Sequence, residues 1–224
     1  MTPRTKFDLS LIPARPDLQF EEALWAQGLR LVAGVDEAGR GALLGPVAAA
    51  AVVLPSDQVD LFYRLEGVRD SKEMTPQERD HWAIEIKATA LAWAVGFASA
   101  AEIDQIGIAP ATRMAAGRAL GQFTMEVEHI LIDYITLPEV AKPQTPLVKG
   151  DARSLTIAAA SVLAKTGRDA ILVAMDTEFP GYGLAQNKGY ATKAHRDAIA
   201  TLGPCQQHRY TFSPIRVEEE ENQK

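Results

Sequence analysis

The sequence predicts an α/β fold in which a mixed central sheet is flanked by helices. Apolar runs of strand length alternate with segments of helical pattern along the chain. The connection between the first two apolar runs is too short to hold a crossover helix, so these two strands are expected to be antiparallel. With 224 residues, 47% of them hydrophobic, the chain is long enough to bury one sizeable core.

Elements of both kinds are predicted in the first half of the chain. The clearest is a helix that starts at Thr75, where Thr75 as N-cap, Pro76 in the first turn and Glu78 three residues after the cap form a capping-box pattern. Apolar alternation in 92–98 indicates a strand. The predicted helices are 20–27 and 75–90, and the predicted strands are 31–37, 47–54 and 92–98.

The second half continues the alternation and ends in helices. Two helices are predicted at 101–106 and 110–124, followed by strands at 128–134 and 147–151. An alanine-rich helix at 154–176 and a last helix at 192–202 complete the chain, with a polar loop between them. We therefore expect an N-terminal extension with a leading helix (1–30), one folded domain with a helical C-terminal segment (31–214) and an acidic tail (215–224).

Composition limits the compartment and the partners. No run of about 18 apolar residues could span a membrane, and the N-terminus lacks the apolar core of a signal peptide. A lone cysteine, Cys205, fits a reducing compartment, so a cytoplasmic protein is expected. We also expect a monomer. The formal net charge of −6 argues against a nucleic-acid partner, but it becomes +2 once four tail glutamates and the four site carboxylates described next are set aside.

Acidic side chains stand at the ends of three predicted strands. Asp36 and Glu37 end the first strand, and Asp133 and Asp151 end two later ones. Ligands of open α/β sheets bind outside the carboxyl ends of the strands, so these four carboxylates are expected to converge. Hard cations such as Mg²⁺ or Mn²⁺ prefer carboxylate oxygen. Asp169 is an alternative fourth acid, although its place in a helix favours a structural ion pair.

The predicted carboxylate cluster suits phosphodiester hydrolysis with two metal ions better than other chemistries. A glycosidase needs two carboxylates and an aromatic sugar groove, whereas aromatic residues make up only 7% of this chain. The sequence also lacks a nucleophile elbow for a serine hydrolase and a phosphate-binding loop for an NTPase. Asp36 and Glu37 point to opposite faces of a regular strand, so a twist or bulge is expected there.

The motifs together resemble those of the ribonuclease HII family, and they occur in the family's order over residues 31 to about 215. They are Gly34 to Gly41 with Gly45-Pro46-Val47, Asp70-Ser71-Lys72, Ile132-Asp133, Lys149-Gly150-Asp151, Ile157 to Ser161 with Ala164-Lys165 and Arg168-Asp169, Phe179-Pro180-Gly181-Tyr182, Lys188 to Thr192, and His208-Arg209 with Phe212. The resemblance implies an RNase H-like fold. It also implies Mg²⁺- or Mn²⁺-dependent cleavage of RNA in RNA-DNA hybrids and 5′ of single ribonucleotides in duplex DNA, in support of ribonucleotide removal.

The resemblance also implies roles for individual residues. Asp36, Glu37, Asp133 and Asp151 would be catalytic metal ligands. Gly39, Arg40 and Gly41 would contact the ribose 2′-hydroxyl, and Tyr190 would pack on the sugar at the RNA-DNA junction. The candidates for other substrate contacts are Ser71, Lys72 and Arg168, the last two to phosphate.

Several interpretations stay open at the level of sequence. A junction resolvase on the same fold and a hybrid-binding protein without activity are the alternatives, and the acidic tail could recruit a replication or repair protein. Lys165 would either contact phosphate or pack against a neighbour. His195 and His208 are expected to be surface or structural residues. Tyr134 stands where the family often has glycine, which alters the loop after Asp133.

Overall fold

The structure is a computed structural model that describes residues 7–215, and in this range it contains a five-stranded mixed sheet. The predicted acidic tail lies almost entirely outside the described residues. The strands are β1 (Val32–Ala38), β2 (Val47–Val53), β3 (Ala92–Ala98), β4 (His129–Asp133) and β5 (Gln144–Leu147). Their order across the sheet is β3-β2-β1-β4-β5. The β1-β2 and β2-β3 pairs are antiparallel, and the β1-β4 and β4-β5 pairs are parallel, so the prediction of a mixed sheet is confirmed.

Helices cover both faces of this sheet. They are α1 (Gln19–Trp25), α2 (Leu61–Arg64), α3 (Pro76–Thr89), α4 (Ala100–Ile106), α5 (Ile108–Leu120), α6 (Leu155–Glu178), α7 (Leu184–Asn187) and α8 (Lys193–Leu202). The capping box predicted at Thr75 is present at the start of α3. The four-residue helices α2 and α7 were not predicted. In the described part of the chain, no helix combines the length and the apolar character that a membrane span requires.

Small residues bring the helices close to the central strands. A Cβ on Gly34 of β1 would overlap the backbone of Thr156 in α6, so only glycine allows this approach. On the other face, Ala49 and Ala51 of β2 pack in one buried cluster with Ala111 and Ala115 of α5. Helix α6 therefore passes directly behind β1, and its buried face borders the end of that strand.

One predicted strand is placed wrongly. The sequence predicted 147–151, whereas β5 comprises Gln144–Leu147 and includes Pro146. Proline is tolerated there because β5 is the edge strand, where a missing N–H breaks no ladder. Lys149 then adopts a left-handed conformation (φ 59°), and residues 150–152 form a turn of 3₁₀ helix. Asp151 consequently lies in this turn rather than at a strand end.

The helical C-terminal segment is present as predicted. Helices α7 and α8 pack on the C-terminal half of α6 through a buried cluster that includes Leu172, Tyr182 and Leu184. The chain after α8 returns to the region following β1, where the Arg209 N–H donates to the Leu43 carbonyl at 2.9 Å. The segment thus forms one wall of the region at the end of β1.

Candidate active site

The candidate site is a pocket at the edge of the sheet where β4 ends and β1 continues. The last pairing between these strands joins Val35 and Ile132, whereas β1 stays paired with β2 as far as Ala38. The side of β1 that β4 leaves open borders a cavity of about 580 Å³. Its lining residues are Asp36, Glu37, Ala38, Gly39, Arg40, Gly41, Ser71, Lys72, Arg79, Asp133, Lys165 and Tyr190.

Asp36 is the most buried acid of this pocket, with 3% of its surface exposed. Its Oδ1 accepts the backbone N–H of Glu37 at 2.7 Å, and its Oδ2 is buried with no hydrogen-bond partner in the described structure. Burial, followed by the negative charges of Glu37 and Asp133, raises its pKa well above the usual range. The Ser161 hydroxyl opposes this shift, but no donor meets Oδ2 in hydrogen-bond geometry, so a proton or a cation would stabilise this buried oxygen.

Glu37 lines the same pocket as Asp36, and of the twist or bulge that the sequence predicted, the bulge is not present. The pairing of β1 with β2 runs through Asp36 and Glu37 with no inserted residue. A carboxylate oxygen of Glu37 lies 3.3 Å from the Arg40 guanidinium. Burial raises the pKa of Glu37, and the positive charge of Arg40 opposes this shift.

Asp133, at the end of β4, lines the pocket, whereas Asp151, in the 3₁₀ turn, lies beside the pocket and contacts its lining residue Lys72. Asp133 Oδ1 accepts the backbone N–H of Gly150 at 2.7 Å, which joins these two segments. Burial and the charge of Asp151 raise the pKa of Asp133 to about 6. Burial and the charge of Asp70 raise the pKa of Asp151. Neighbouring carboxylates thus raise the proton affinity of each of the four acids, as like charges in one site do, and for Asp151 that neighbour is Asp70.

Lys72 supplies a positive charge beside these acids. Its Nζ lies 3.4 Å from Asp151 and 3.5 Å from Asp70. Burial lowers its pKa, but the charges of Asp70, Asp36 and Asp151 outweigh burial and raise it above the usual range. Lys72 is therefore a permanent cation at the mouth of the pocket. The neighbouring Ser71 is buried, and its hydroxyl pairs with that of Ser161 at 2.9 Å.

The acids fit a divalent cation by their chemistry, although they are not a preformed coordination shell. Within residues 7–215, no three His, Cys, Asp or Glu side chains are already arranged as metal ligands. Carboxylates repel one another when no cation lies between them, and here Arg40 and Lys72 contact two of the four. The partnerless Oδ2 of Asp36 and the raised pKa values are what a site for a hard, oxygen-binding cation produces.

A buried arginine, Arg168, packs against the glycine loop (residues 39–41) that follows β1. Gly39 has φ 91°, and a Cβ there would overlap the Arg168 side chain. Arg168 is fully buried and donates to the carbonyls of Pro46 (2.8 Å), Lys188 (2.9 Å) and Leu44 (3.0 Å). The predicted phosphate contact of Arg168 is therefore corrected, because its donors are bound to backbone and shielded from the pocket.

Tyr190 lines the same pocket as the carboxylates. The Lys165 Nζ and the Arg168 Cζ each lie 5.2 Å from the centre of its ring. Lys165 also contacts Asp169 at 2.8 Å, and Asp169 lies 3.6 Å from Arg79 of α3. Asp169 is thus the ion-pair residue that the sequence suggested, with Lys165 and Arg79 as partners rather than its neighbour Arg168. This leaves Asp151 as the candidate fourth acid.

The sequence did not point to two residues of the site: Arg79, which lines the pocket, and Asp70, whose charge acts on its neighbours. Arg79 lines the pocket and donates to the backbone carbonyls of Ser71 (3.0 Å) and Met74 (2.6 Å). Asp70 contributes the charge that acts on Lys72 and Asp151. A charged residue on a helix is normally a solvent-facing one, so the sequence around Arg79 carried no signal. Asp70 lay in a recognised motif and could have been included.

The sheet order, the helices on both faces and the acids at the open side of β1 define an RNase H-like protein. The sequence profile of the ribonuclease HII family matches residues 33–215, and the chain belongs to that family. It is 54% identical over 202 residues to the ribonuclease HII of Synechococcus sp. (strain JA-3-3Ab), covering 90% of each chain. It is therefore a ribonuclease H, an endoribonuclease of RNA-DNA hybrids.

Solved structures agree on the fold. The RNase HII in the PCNA complex from Archaeoglobus fulgidus superposes with a TM-score of 0.67 at 24% identity, over 84% of this chain and 97% of that one. Bst RNase HIII, solved in complex with Mn²⁺, gives a TM-score of 0.65 at 20% identity, over 86% of this chain and 71% of that one. At such identities the likeness establishes the RNase H-like architecture.

Proposed function

We propose that this ribonuclease H also nicks duplex DNA on the 5′ side of single embedded ribonucleotides, leaving a 3′-hydroxyl and a 5′-phosphate. The observation that carries the proposal is the shared pocket. Acids that suit phosphodiester hydrolysis line the same cavity as a glycine loop and an aromatic ring that suit recognition of a sugar. Both the reaction and the choice of nucleotide can therefore take place at one position.

In the proposed reaction, Asp36, Glu37, Asp133 and Asp151 hold Mg²⁺ or Mn²⁺. When bound, these ions supply activation of the attacking water and stabilisation of the leaving oxygen. The partnerless Oδ2 of Asp36 and the acids' raised pKa values support this assignment. Lys72 stays protonated and, at 71% side-chain exposure, is free to contact a phosphate beside the acids.

Recognition of the ribose is assigned to Gly39, Arg40 and Gly41. Only the 2′-hydroxyl, which both donates and accepts, distinguishes RNA from DNA at a single nucleotide. Gly39 is required by the fold, because a side chain there would strike Arg168. Gly41 is not, since a Cβ on it would meet no atom within 4 Å. An exposed glycine that the fold does not need supports close approach of a ligand to the backbone.

Tyr190 is assigned to the sugar at the RNA-DNA junction, which belongs to the deoxynucleotide that follows the ribonucleotide. Its ring is partly buried, and the Lys165 Nζ and the Arg168 Cζ each lie 5.2 Å from the ring centre. A ring packed against a deoxyribose leaves no space for a 2′-hydroxyl there. The enzyme would then favour a junction at which RNA is followed by DNA.

The test is a duplex that carries one ribonucleotide, incubated with Mg²⁺ or Mn²⁺ and, in parallel, with chelator. A single nick on the 5′ side of the ribonucleotide, lost with chelator, is the expected result. A junction resolvase would leave this duplex intact and cut a four-way junction, and a binding module would retain the duplex uncut. Cleavage confined to long hybrids would overturn the embedded-ribonucleotide proposal while leaving the hybrid activity in place.

A further inference from the structure

Two histidines meet in the interior of the C-terminal segment. His195 lies in the first turn of α8 and His208 in the chain after it, and both are fully buried. Their Nε2 atoms are 3.3 Å apart, which is hydrogen-bond distance. In the described residues, neither ring forms an ion pair with a carboxylate. The two rings are therefore joined by a single N–H···N hydrogen bond.

The other two ring nitrogens determine which atom carries each proton. His195 Nδ1 lies 3.0 Å from the Tyr190 carbonyl, which can only accept, so Nδ1 of His195 carries a hydrogen. In a neutral ring its Nε2 must then accept. His208 Nε2 must consequently donate, and its Nδ1 accepts the Cys205 N–H at 2.9 Å. With two neutral rings, this combination satisfies the contacts to the Tyr190 carbonyl, between the two rings and from the Cys205 N–H, and it leaves the longer 3.2 Å approach of His208 Nδ1 to the Cys205 carbonyl without a hydrogen.

Burial keeps both rings neutral. It lowers the pKa of His195, and it lowers the pKa of His208 to about 4, with the neighbouring His195 acting in the same direction. The surrounding titratable groups do not oppose this, because Tyr182, whose ring lies 5.0 Å from that of His208, and Cys205 have raised pKa values and are uncharged at neutral pH. The hydrogens assigned above to His195 Nδ1 and His208 Nε2, which require two neutral rings, are therefore those expected at neutral pH.

The chain of hydrogen bonds ends on the residue proposed to contact the sugar. The Tyr190 carbonyl accepts from His195 and also from the Thr192 N–H at 2.8 Å. The preceding Gly189 carbonyl accepts the Leu43 N–H at 2.8 Å, and the Gln207 carbonyl accepts the Gly45 N–H at 2.8 Å. These hydrogen bonds therefore join three segments near the histidine pair: residues 189–190, the chain that follows the glycine loop, and the C-terminal segment.

We propose that His195 and His208 are positioning residues for Tyr190. The hydrogen bonds run from the Cys205 N–H through both imidazoles to the Tyr190 carbonyl. They fix the backbone of Tyr190 and therefore the position of its ring in the pocket. Since that ring is assigned to the junction sugar, the inference rests on the proposed function. It predicts that the histidines act on the choice of substrate through Tyr190, beyond any contribution to stability.

The protonation pattern can be measured directly on the full chain. The protein has only four histidines, so ¹⁵N-histidine labelling gives ring nitrogen signals that can be assigned with single variants. We expect His195 with its hydrogen on Nδ1, the rarer tautomer, and His208 with its hydrogen on Nε2. The opposite tautomers, or an imidazolium at neutral pH, would overturn the proposal without reference to activity.

A matched pair of variants tests the effect on Tyr190. In His195→Asn the side-chain amide can still donate to the Tyr190 carbonyl, whereas in His195→Gln the amide oxygen reaches His208 and the bond to Tyr190 is lost. We expect kcat/KM at an embedded ribonucleotide to fall about five- to tenfold in His195→Gln and less in His195→Asn, as for one lost hydrogen bond. Thermal unfolding checks that both variants are folded. Equal losses in the two would contradict the proposal, and if His195→Gln fails to fold, the tautomer measurement decides.

The same variants in a Tyr190→Ala background separate positioning from general damage. If His195 acts through Tyr190, His195→Gln should cost little more once Tyr190 is absent. Undiminished loss in the double variant would show that His195 has a merely structural role. Should the parent enzyme cut only long hybrids, the proposed function fails, and the same double-variant comparison on a long hybrid still tests the positioning role.

Discussion

The Gly150 N–H donates to Asp133 Oδ1 at 2.7 Å, so the end of β4 and the turn that carries Asp151 are joined through a proposed metal ligand. A Cβ on Gly150 would lie 2.8 Å from Ile157 Cδ1 and 3.2 Å from that same carboxylate oxygen, which explains the glycine. Two acids from different segments are thereby held beside each other, and their proximity lowers the stability of the fold. The burial and mutual repulsion that raise the pKa of Asp133 to about 6 also destabilise the fold when these groups are ionised.

Asp133→Asn should therefore stop catalysis and stabilise the protein. In the folded state Asp133 binds its proton more tightly than in the unfolded chain, so its ionisation at pH 7 opposes folding by about 1 to 3 kcal/mol. We expect cleavage to fall by about a hundredfold or more, while Tm in metal-free buffer at pH 7 rises by about 3 to 8 °C. Asp57→Asn, the same change at an exposed acid, is the control. A Tm that drops in Asp133→Asn would contradict this account of the site.

Divalent cations should bind the folded protein at these same acids. A ligand that binds only the native state raises Tm in proportion to the logarithm of its concentration. Titration of the parent with Mg²⁺ or Mn²⁺ should therefore raise Tm progressively and chelator should reverse the shift, whereas Asp133→Asn should respond much less. Equal shifts in parent and variant would assign the bound ions to another part of the molecule.

Gly41→Ala and Gly39→Ala should separate the needs of the substrate from those of the fold. A methyl group on Gly41 meets no atom within 4 Å, so Tm should stay the same or rise slightly. On Gly39 it overlaps Arg168 at φ 91°, and Tm should fall. Hybrid cleavage should drop in Gly41→Ala by about tenfold to a hundredfold, as a small misplacement does. Full activity in Gly41→Ala would remove the loop from substrate recognition.

The Arg168→Lys and Lys72→Gln variants should differ in how the salt concentration affects their affinity for an RNA-DNA hybrid. Lysine cannot reproduce the three bonds from Arg168 to buried carbonyls, so Arg168→Lys should cost about 2 to 4 kcal/mol of stability. Hybrid binding should keep its salt dependence. Lys72→Gln should lower Tm slightly, because it removes the cation beside Asp151 and Asp70, and it should reduce the slope of log affinity against log salt by about 1, the value for one phosphate contact. The slopes are measured by fluorescence anisotropy with an uncleavable hybrid, and the reverse pattern would restore Arg168 as a phosphate ligand.

Much of the sheet could be predicted, because β1 to β4 are apolar runs with clear ends. β5 could not, since Pro146 suggests a loop to any local rule and only its place at the sheet edge makes it admissible. The acids at the ends of β1 and β4 follow from strand periodicity. Asp151 comes to lie beside the pocket through a turn with Lys149 at φ 59°, which the sequence did not indicate.

Long-range packing explains the remaining differences at the site. The sequence suggested a structural ion pair for Asp169 and a phosphate contact for its neighbour Arg168. Packing of the C-terminal segment on α6 instead buries Arg168 against the Leu44 carbonyl, and Asp169 turns to Lys165. The burial and pairing of His195 and His208 likewise depend on where α8 lies relative to the chain after it. No local pattern specifies such contacts.

The buried His208 should make stability depend on pH in a defined window. Its pKa is about 4 in the folded protein against 6.5 for an unperturbed histidine, so between these values the unfolded chain binds more protons. Stability therefore falls as the pH drops from 6.5 towards 4, by about 1 to 3 kcal/mol from this residue. Asp133, with its raised pKa, acts in the opposite direction through pH 6 and is present in every variant compared. The difference in unfolding free energy between the parent and His208→Gln, from urea titrations at pH 7.5 and 4.5, should thus shrink at the lower pH. A difference that does not change with pH would mean that His208 is not held neutral in the fold.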